Sequence, residues 1–167
     1  TNCGYGRKIS KKIQLLSKFT SAQSTLCINN TSVVKFKRNH IINKAYGSTI
    51  NNSFKIFDFD RTEDKTNIII SATHDAYLGN FGYLHKRTIK FFKKNNDLIG
   101  NDNLIKKNGS SNIDFCIRFH LYPGIDTVRT ISGKSILLQI NKNKSWIFSS
   151  ENQKIGTEKS LFLGRNK

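Results

Sequence analysis

Apolar and polar residues alternate without interruption through residues 113–121, and this alternation constrains the fold more than any other feature of the chain. The apolar positions are Ile113, Phe115, Ile117, Phe119 and Leu121, and the positions between them are Asp114, Cys116, Arg118 and His120. A period of two is typical of a β-strand with one face in a core and the other turned outward. The alternation therefore predicts a half-buried strand over 113–121.

Shorter runs of the same kind recur at 25–28, 33–36, 54–59, 67–72, 88–92, 135–140, 145–148 and 160–163. Clusters rich in asparagine, glycine and serine separate them, and these residues favour turns. The runs 135–140 and 145–148, joined by residues 141–144, predict a hairpin. Only residues 8–19 could form a helix.

A strand and a turn every dozen residues or so is typical of an antiparallel sandwich or barrel, and we predict an all-β antiparallel β-sandwich. Its core should contain the large apolar side chains of the strongest runs. These are Phe115, Ile117, Phe119, Ile136, Leu138, Trp146 and Phe148.

The chain has 167 residues, enough for one domain, and a formal net charge of +17. Such a charge raises nucleic acid as a partner, but the lysines are spread along the chain rather than gathered in one block. Lysine, asparagine, isoleucine and phenylalanine are all encoded by A and T alone, so an A+T-rich genome would produce the same excess. Nucleic acid is therefore disfavoured, and an acidic polysaccharide would be attracted by the same charge.

Three further sequence features limit the function. No apolar run approaches the roughly 20 residues that span a bilayer. The chain has no methionine and no apolar segment typical of a signal peptide, so we expect a fragment whose natural start lies upstream. Cys3, Cys27 and Cys116 form no C-x-x-C pair, which disfavours a zinc ribbon or a disulfide framework. We expect Cys27 and Cys116 to be small core residues.

Arg118, His120 and Tyr122 are two residues apart, so a strand would turn all three side chains to one face. Arginine recognises carboxylates and sulfates through two parallel hydrogen bonds, and histidine and tyrosine bind hydroxyl groups. This face is a candidate site for an acidic sugar. The alternative is an ordinary solvated strand face.

His74, Asp75 and Tyr77 precede a loop with two glycines, and His85 follows that loop. Loops of this composition at strand ends are common binding sites. The alternative is a hairpin connection in which Asp75 forms a local turn. The 11-residue gap from His74 to His85 matches no compact zinc motif, and no nucleotide-binding fingerprint is present.

These segments resemble the C-terminal region of the heparinase II/III-like polysaccharide lyases. Residues 22–26, Ala-Gln-Ser-Thr-Leu, are similar to that family's Ala-His-Ser/Asn-Thr segment. The stretch from His74-Asp75-Ala76-Tyr77 to His85-Lys86-Arg87 is similar to its His-Asp-Gly-Tyr loop and the His-Arg strand after it. Residues 118–124, Arg-Phe-His-Leu-Tyr-Pro-Gly, are similar to its Arg-Phe-His-Leu-His-Pro-Gly strand end. With residues 2–4 and 161–164, the resemblance covers nearly the whole chain in order.

The resemblance implies that residues 1–167 are one supersandwich-like β-domain of a larger protein, with a helical toroid upstream. Such lyases cleave uronic-acid polysaccharides by β-elimination, in which a tyrosine or histidine removes the C5 proton. The family's principal base lies upstream, so we expect no catalytic residue in this chain and no activity from the chain alone. The implied partners are an acidic polysaccharide and the upstream helical domain. The expected substrate-binding residues are His74, Asp75, Tyr77, His85, Arg118 and His120.

Two departures from the family pattern affect the site. Gln23 stands where relatives with a structural zinc have a histidine ligand, and an amide is a poor zinc ligand beside imidazole. We therefore expect no cofactor. Tyr122 replaces the second histidine of the strand end, which argues against a two-histidine role there. The alternative functions are a stand-alone module that binds polyanions or carbohydrate, and a basic nucleic-acid-binding domain.

Overall fold

The computed structural model describes residues 2–4, 10–37, 49–51, 53–109 and 112–164. The chain divides into two compact units. The central unit runs from Leu26 to Ile117, and the terminal unit combines Thr1–Thr25 with Arg118–Lys167.

The central unit contains a four-stranded antiparallel sheet in the order β2-β3-β4-β5. These strands are β2 (Ile56–Glu63), β3 (Asn67–His74), β4 (Tyr83–Phe92) and β5 (Asp97–Lys106), after the short β1 (Leu26–Ile28). The turn between β2 and β3 is fixed by the Asp64 carboxylate, whose Oδ1 accepts the N–H groups of Thr66 at 2.6 Å and Asn67 at 2.7 Å. These hydrogen bonds, with a further one from the Thr66 hydroxyl, lower the pKa of Asp64 to about 2.

The core of the central unit lies around β1, which pairs antiparallel with β6 (Phe115–Ile117). Leu26, Ile28 and Tyr77 are buried there. Tyr77 precedes α2 (Leu78–Phe81), a single helical turn that ends at Gly82. Gly82 has a φ of +77°, and a Cβ at this position would overlap the carbonyl oxygen of Asn108. Only glycine fits this position between α2 and β4 without strain.

The terminal unit begins with α1 (Lys11–Leu16), whose first turn is capped by the hydroxyl of Ser10, and a 3₁₀ turn at Thr20–Ala22. It also contains a three-stranded antiparallel sheet of β7 (Asp126–Arg129), β8 (Ser135–Asn141) and β9 (Lys144–Ser149). The β8–β9 pairing confirms the predicted hairpin. The helix α1 lies within the predicted helical segment, of which residues 8 and 9 fall outside the described residues.

The strand content of 42%, the helix content of 9% and the antiparallel pairing confirm the all-β class and are consistent with a β-sandwich domain. No helix in the described part of the chain is both long enough and apolar enough to cross a membrane.

The long strand predicted over 113–121 is wrong, because regular pairing stops at Ile117, the last residue of β6. Residues 33–36 and 160–163 also form no strand, apart from one isolated bridge at Phe36. Conversely, the ten-residue β5 was not predicted. It contains Gly100, Asn101, Asp102 and Asn103, which have low strand propensity, and its conformation comes from continuous pairing with β4.

The predicted core is partly wrong as well. Ile136 is buried, and Ile117, Leu138 and Phe148 are partly buried. Phe115, Phe119 and Trp146 are 46%, 50% and 44% exposed. Phe115 and Trp146 lie on strands with a single partner, and Phe119 lies beyond the end of β6, where alternation no longer assigns side chains to faces. Cys27 is buried as expected, but Cys116 is exposed.

Candidate functional site

Four polar side chains meet on one face of the four-stranded sheet because of the pairing register. His74 on β3 lies directly opposite His85 on β4, and Arg87 on β4 lies directly opposite Asp102 on β5. His85 and Arg87 are two residues apart, so their side chains share a face. We call these four residues the His–His–Asp–Arg network.

The network is connected by short hydrogen bonds. Nε2 of His74 lies 2.9 Å from Nδ1 of His85, and Nε2 of His85 lies 2.6 Å from Oδ1 of Asp102. Arg87 donates from Nε to Oδ1 of Asp102 at 2.7 Å and from Nη2 to Oδ2 at 3.0 Å. This fork is the two-bond geometry in which arginine binds carboxylates most strongly.

The hydrogen bonds also assign the tautomers of both histidines. The backbone N–H of Ala76 donates to Nδ1 of His74 at 3.3 Å, so that nitrogen carries a lone pair and the proton of a neutral His74 is on Nε2. His74 therefore donates to Nδ1 of His85, and His85 donates from Nε2 to Asp102. Each donor in this series of hydrogen bonds points toward the carboxylate of Asp102. Both ring nitrogens of each histidine take part in a hydrogen bond.

Burial makes the network sensitive to protonation. The side chains of His85 and Asp102 are only 2% and 6% exposed. Burial and the neighbouring His85 lower the pKa of His74 to about 4, so His74 is neutral at pH 7. Burial alone would raise the pKa of Asp102, but hydrogen bonds from His85 and Arg87 outweigh it and leave that pKa below its usual value.

Tyr77 and Asp75 hold the loop that follows His74. The Tyr77 side chain is buried, and its hydroxyl donates to the carbonyl oxygen of Leu26 at 2.8 Å. Burial raises the pKa of this hydroxyl, so Tyr77 is protonated at neutral pH. Asp75 is bound to Lys55 twice: its Oδ1 accepts the Lys55 N–H at 2.7 Å, and its own N–H donates to the Lys55 carbonyl at 3.2 Å. This loop is therefore fastened to the segment that leads into β2.

The family model described as "Heparinase II/III-like, C-terminal" matches residues 1–167, which is the whole chain. The chain belongs to this family. No curated protein and no solved structure matches it. Membership of the heparinase II/III-like C-terminal family indicates a domain of a polysaccharide lyase and a place at the C-terminal end of a larger chain.

The other two candidate substrate-binding residues of this heparinase II/III-like domain, Arg118 and His120, lie in the terminal unit. His120 donates from Nε2 to the carbonyl oxygen of Ser21 at 3.0 Å, and its Nδ1 lies 3.3 Å from the hydroxyl of Ser160. Arg118 follows the last residue of β6 and donates its backbone N–H to the carbonyl oxygen of Thr25 at 3.1 Å. Because residues 118–122 are not a strand, the expected common outward face of Arg118, His120 and Tyr122 is not formed by strand geometry.

The residues present in the described part of this heparinase II/III-like domain do not fit the structural zinc site that the family resemblance implies. Nε2 of Gln23 donates to the carbonyl oxygen of Ser17 at 2.8 Å, so the amide is used to fasten α1. Among the described residues, no group of three or more His, Cys, Asp or Glu side chains is arranged to hold a metal ion.

Sequence reasoning missed Asp102, the residue that anchors the network. Its strand was not predicted, and the acidic residue becomes part of the site only through the β4–β5 register. Arg87 could have been selected from the sequence, because it is two residues from His85 and strand alternation places both side chains on one face.

Proposed function

We propose that this chain is the C-terminal domain of a polysaccharide lyase that cleaves uronic-acid-containing polysaccharides by β-elimination, and that it forms one wall of the substrate cleft. The observation that carries the proposal is the family match over all 167 residues. The formal net charge of +17 supports it, because a basic surface attracts a polyanionic substrate.

The geometry of the network supports a division of roles between this domain and an upstream helical domain. A general base needs a free lone pair within reach of the proton that it removes. In the network, Nδ1 of His74 accepts the Ala76 N–H, and His85 is almost fully buried. Neither of these two histidines offers such a lone pair to a substrate, so neither is suited to act as the base.

The six candidate residues then divide by exposure. His85 and Tyr77 are buried and support the loop after His74 from beneath. Asp75, His74, Arg118 and His120 are partly exposed, and we propose that substrate contacts in this domain are made by residues at these positions and in the loops they anchor.

The experiment compares two proteins on a panel of polyuronates by the ultraviolet absorbance of the unsaturated product. We expect turnover from the protein that includes the natural upstream region and none from residues 1–167 alone. Absence of turnover by the longer protein on every polyuronate would contradict a lyase role. If the 167-residue chain does turn over a polyuronate, and if His74→Ala or His120→Ala abolishes that turnover, the result would contradict an upstream base.

The strong positive charge also favours a second candidate, a module that binds polyanions without a catalytic partner. Binding to a DNA oligonucleotide and to an oligouronide of equal charge distinguishes the candidates. Equal, fully salt-sensitive affinities would favour non-specific charge attraction. Tighter binding to the oligouronide that persists at high salt favours the lyase domain, because short directional hydrogen bonds are screened less than diffuse charge.

A further inference from the structure

A cavity of about 280 Å³ lies beside the loop that follows His74, within the central unit. Three segments line it: the stretch that contains Lys35, the stretch with Ser53 and Phe54, and the loop from Asp75 to Asn80. Its size is close to the lower end of the range for ligand pockets, about 300–1,000 Å³.

The walls of the cavity are held by hydrogen bonds that do not depend on a ligand. The two bonds between Asp75 and Lys55 join the loop to the segment that carries Phe54. The Leu78 N–H donates to the Asp75 carbonyl at 2.8 Å and closes the turn at the floor. A site built in this way is largely formed before it binds, which reduces the entropy lost on binding.

Phe54 forms an aromatic surface at the cavity, and the network supports that surface. Its side chain is 37% exposed, and its ring lies 5.7 Å from the ring of His74. His74 is itself held by Ala76 and by His85, which is bound to the buried carboxylate of Asp102. The hydrogen-bonded network therefore holds the His74 ring against which the partly exposed Phe54 ring packs. The electron-rich face of such an aromatic ring packs well against the polarised C–H groups of a sugar.

The polar groups at the cavity suit a sugar acid. Lys35 supplies a cation that can bind a carboxylate, and Ser53 and Asn80 supply a hydroxyl and an amide that can bind sugar hydroxyls. Asp75 is the acidic residue in the lining. Its Oδ1 accepts the Lys55 N–H, and a carboxylate has two acceptor oxygens, so it can also accept from ligand hydroxyls. A ligand with one apolar face, several hydroxyls and one carboxylate matches this arrangement.

We propose that this cavity is a subsite for one uronate residue of an acidic oligosaccharide, with Phe54 against the sugar ring and Lys35 on its carboxylate. The inference rests on the proposed function, because it identifies where this domain contacts the polymer. It assigns Phe54, Lys35 and Asn80 to substrate binding beside His74, and it assigns the buried members of the network, His85 and Asp102, to positioning.

The test is calorimetric titration of the 167-residue chain with oligouronates prepared from alginate and pectate, with a neutral oligosaccharide of equal length beside them. We expect Phe54→Ala to weaken oligouronate binding about tenfold and Phe54→Tyr to retain it. The matched control is Phe59→Ala, since Phe59 is 69% exposed and lies outside the cavity lining. Lys35→Gln should weaken binding to oligouronates but not to the neutral sugar, whereas Lys65→Gln in the β2–β3 turn should change neither.

The outcomes separate the subsite from the proposed function. In one outcome, the unaltered chain binds oligouronates, and the Phe54, Lys35 and Asn80 substitutions reduce binding no more than the control substitutions do. That outcome would overturn the subsite and leave the lyase role intact. No binding of any oligouronate by the unaltered chain would overturn the subsite together with a substrate-contacting role for this domain. Because Phe54→Ala could disturb folding, the Lys35→Gln and Asn80→Ala variants, both at exposed positions, decide the result independently.

Discussion

The buried carboxylate of Asp102 accepts hydrogen bonds from both His85 and Arg87, and its side chain is only 6% exposed. Removing one partner of a buried charge pair costs about 3–5 kcal/mol, since the remaining charge stays in a poorly solvated place. We expect Asp102→Asn to lower the free energy of unfolding in urea by about that amount. The same substitution should also loosen His74 and therefore Phe54.

Asp97→Asn is the control for this substitution. Asp97 lies on the same strand, is exposed, and should change stability by no more than about 0.5 kcal/mol. Equal effects of the two substitutions would mean that Asp102 does not anchor the network, and would remove the support that we assign to His74.

At the scale of elements, the connection between α2 and β4 depends on a left-handed residue. Gly82 has a φ of +77°, and its carbonyl accepts the N–H of Lys107 at 2.8 Å, next to the end of β5. We expect Gly82→Ala to destabilise the chain by about 1–3 kcal/mol, because it adds both backbone strain and a clash with Asn108. Urea denaturation followed by tryptophan fluorescence or circular dichroism measures the change.

Gly100→Ala is the matched substitution on β5. No atom lies within 4 Å of a Cβ built there, and the backbone is not left-handed. It should be neutral or slightly stabilising, because alanine loses less conformational entropy than glycine. A loss of stability at Gly100 as large as that at Gly82 would contradict the conformational argument.

The elements that could be predicted from the sequence are those whose evidence is local. The β8–β9 hairpin follows from two alternating runs around a short polar turn, and the two strands pair antiparallel. β5 could not be predicted, since Gly100 and its polar neighbours favour no strand and only β4 dictates their conformation. The strand over 113–121 failed for the converse reason: local alternation continues past Ile117, but no partner strand continues with it.

The candidate site, like the strands, could be predicted only where its residues lie close together in the sequence. His74, Asp75, Tyr77 and His85 could be selected because they fall within one short stretch of sequence, and the structure does bring them close together in the central unit. Asp102 and Phe54 could not be selected, because each meets His74 or His85 only through the register of the folded sheet or the path of a loop.

At the scale of the whole molecule, the network couples stability to pH. The groups that face His74 are His85, Arg87 and Asp75, and burial with the nearby His85 lowers its pKa from 6.5 to about 4. A histidine with a lowered pKa binds its proton more readily in the unfolded chain. Its contribution to stability is therefore complete above pH 6.5 and is lost as the pH falls toward 4.

We expect the free energy of unfolding to decrease by about 2–3 kcal/mol between pH 7 and pH 4.5, from the shift of His74 alone. The lowered pKa of Asp102 adds a loss only at more acidic pH, since an unperturbed aspartate titrates near 3.9. Urea titrations at several pH values measure this slope. His74→Gln should flatten this slope whatever that variant's stability at pH 7. If His74→Gln retains the full slope, His74 is not the titrating group, and the acid sensitivity of the chain has to be assigned to another group.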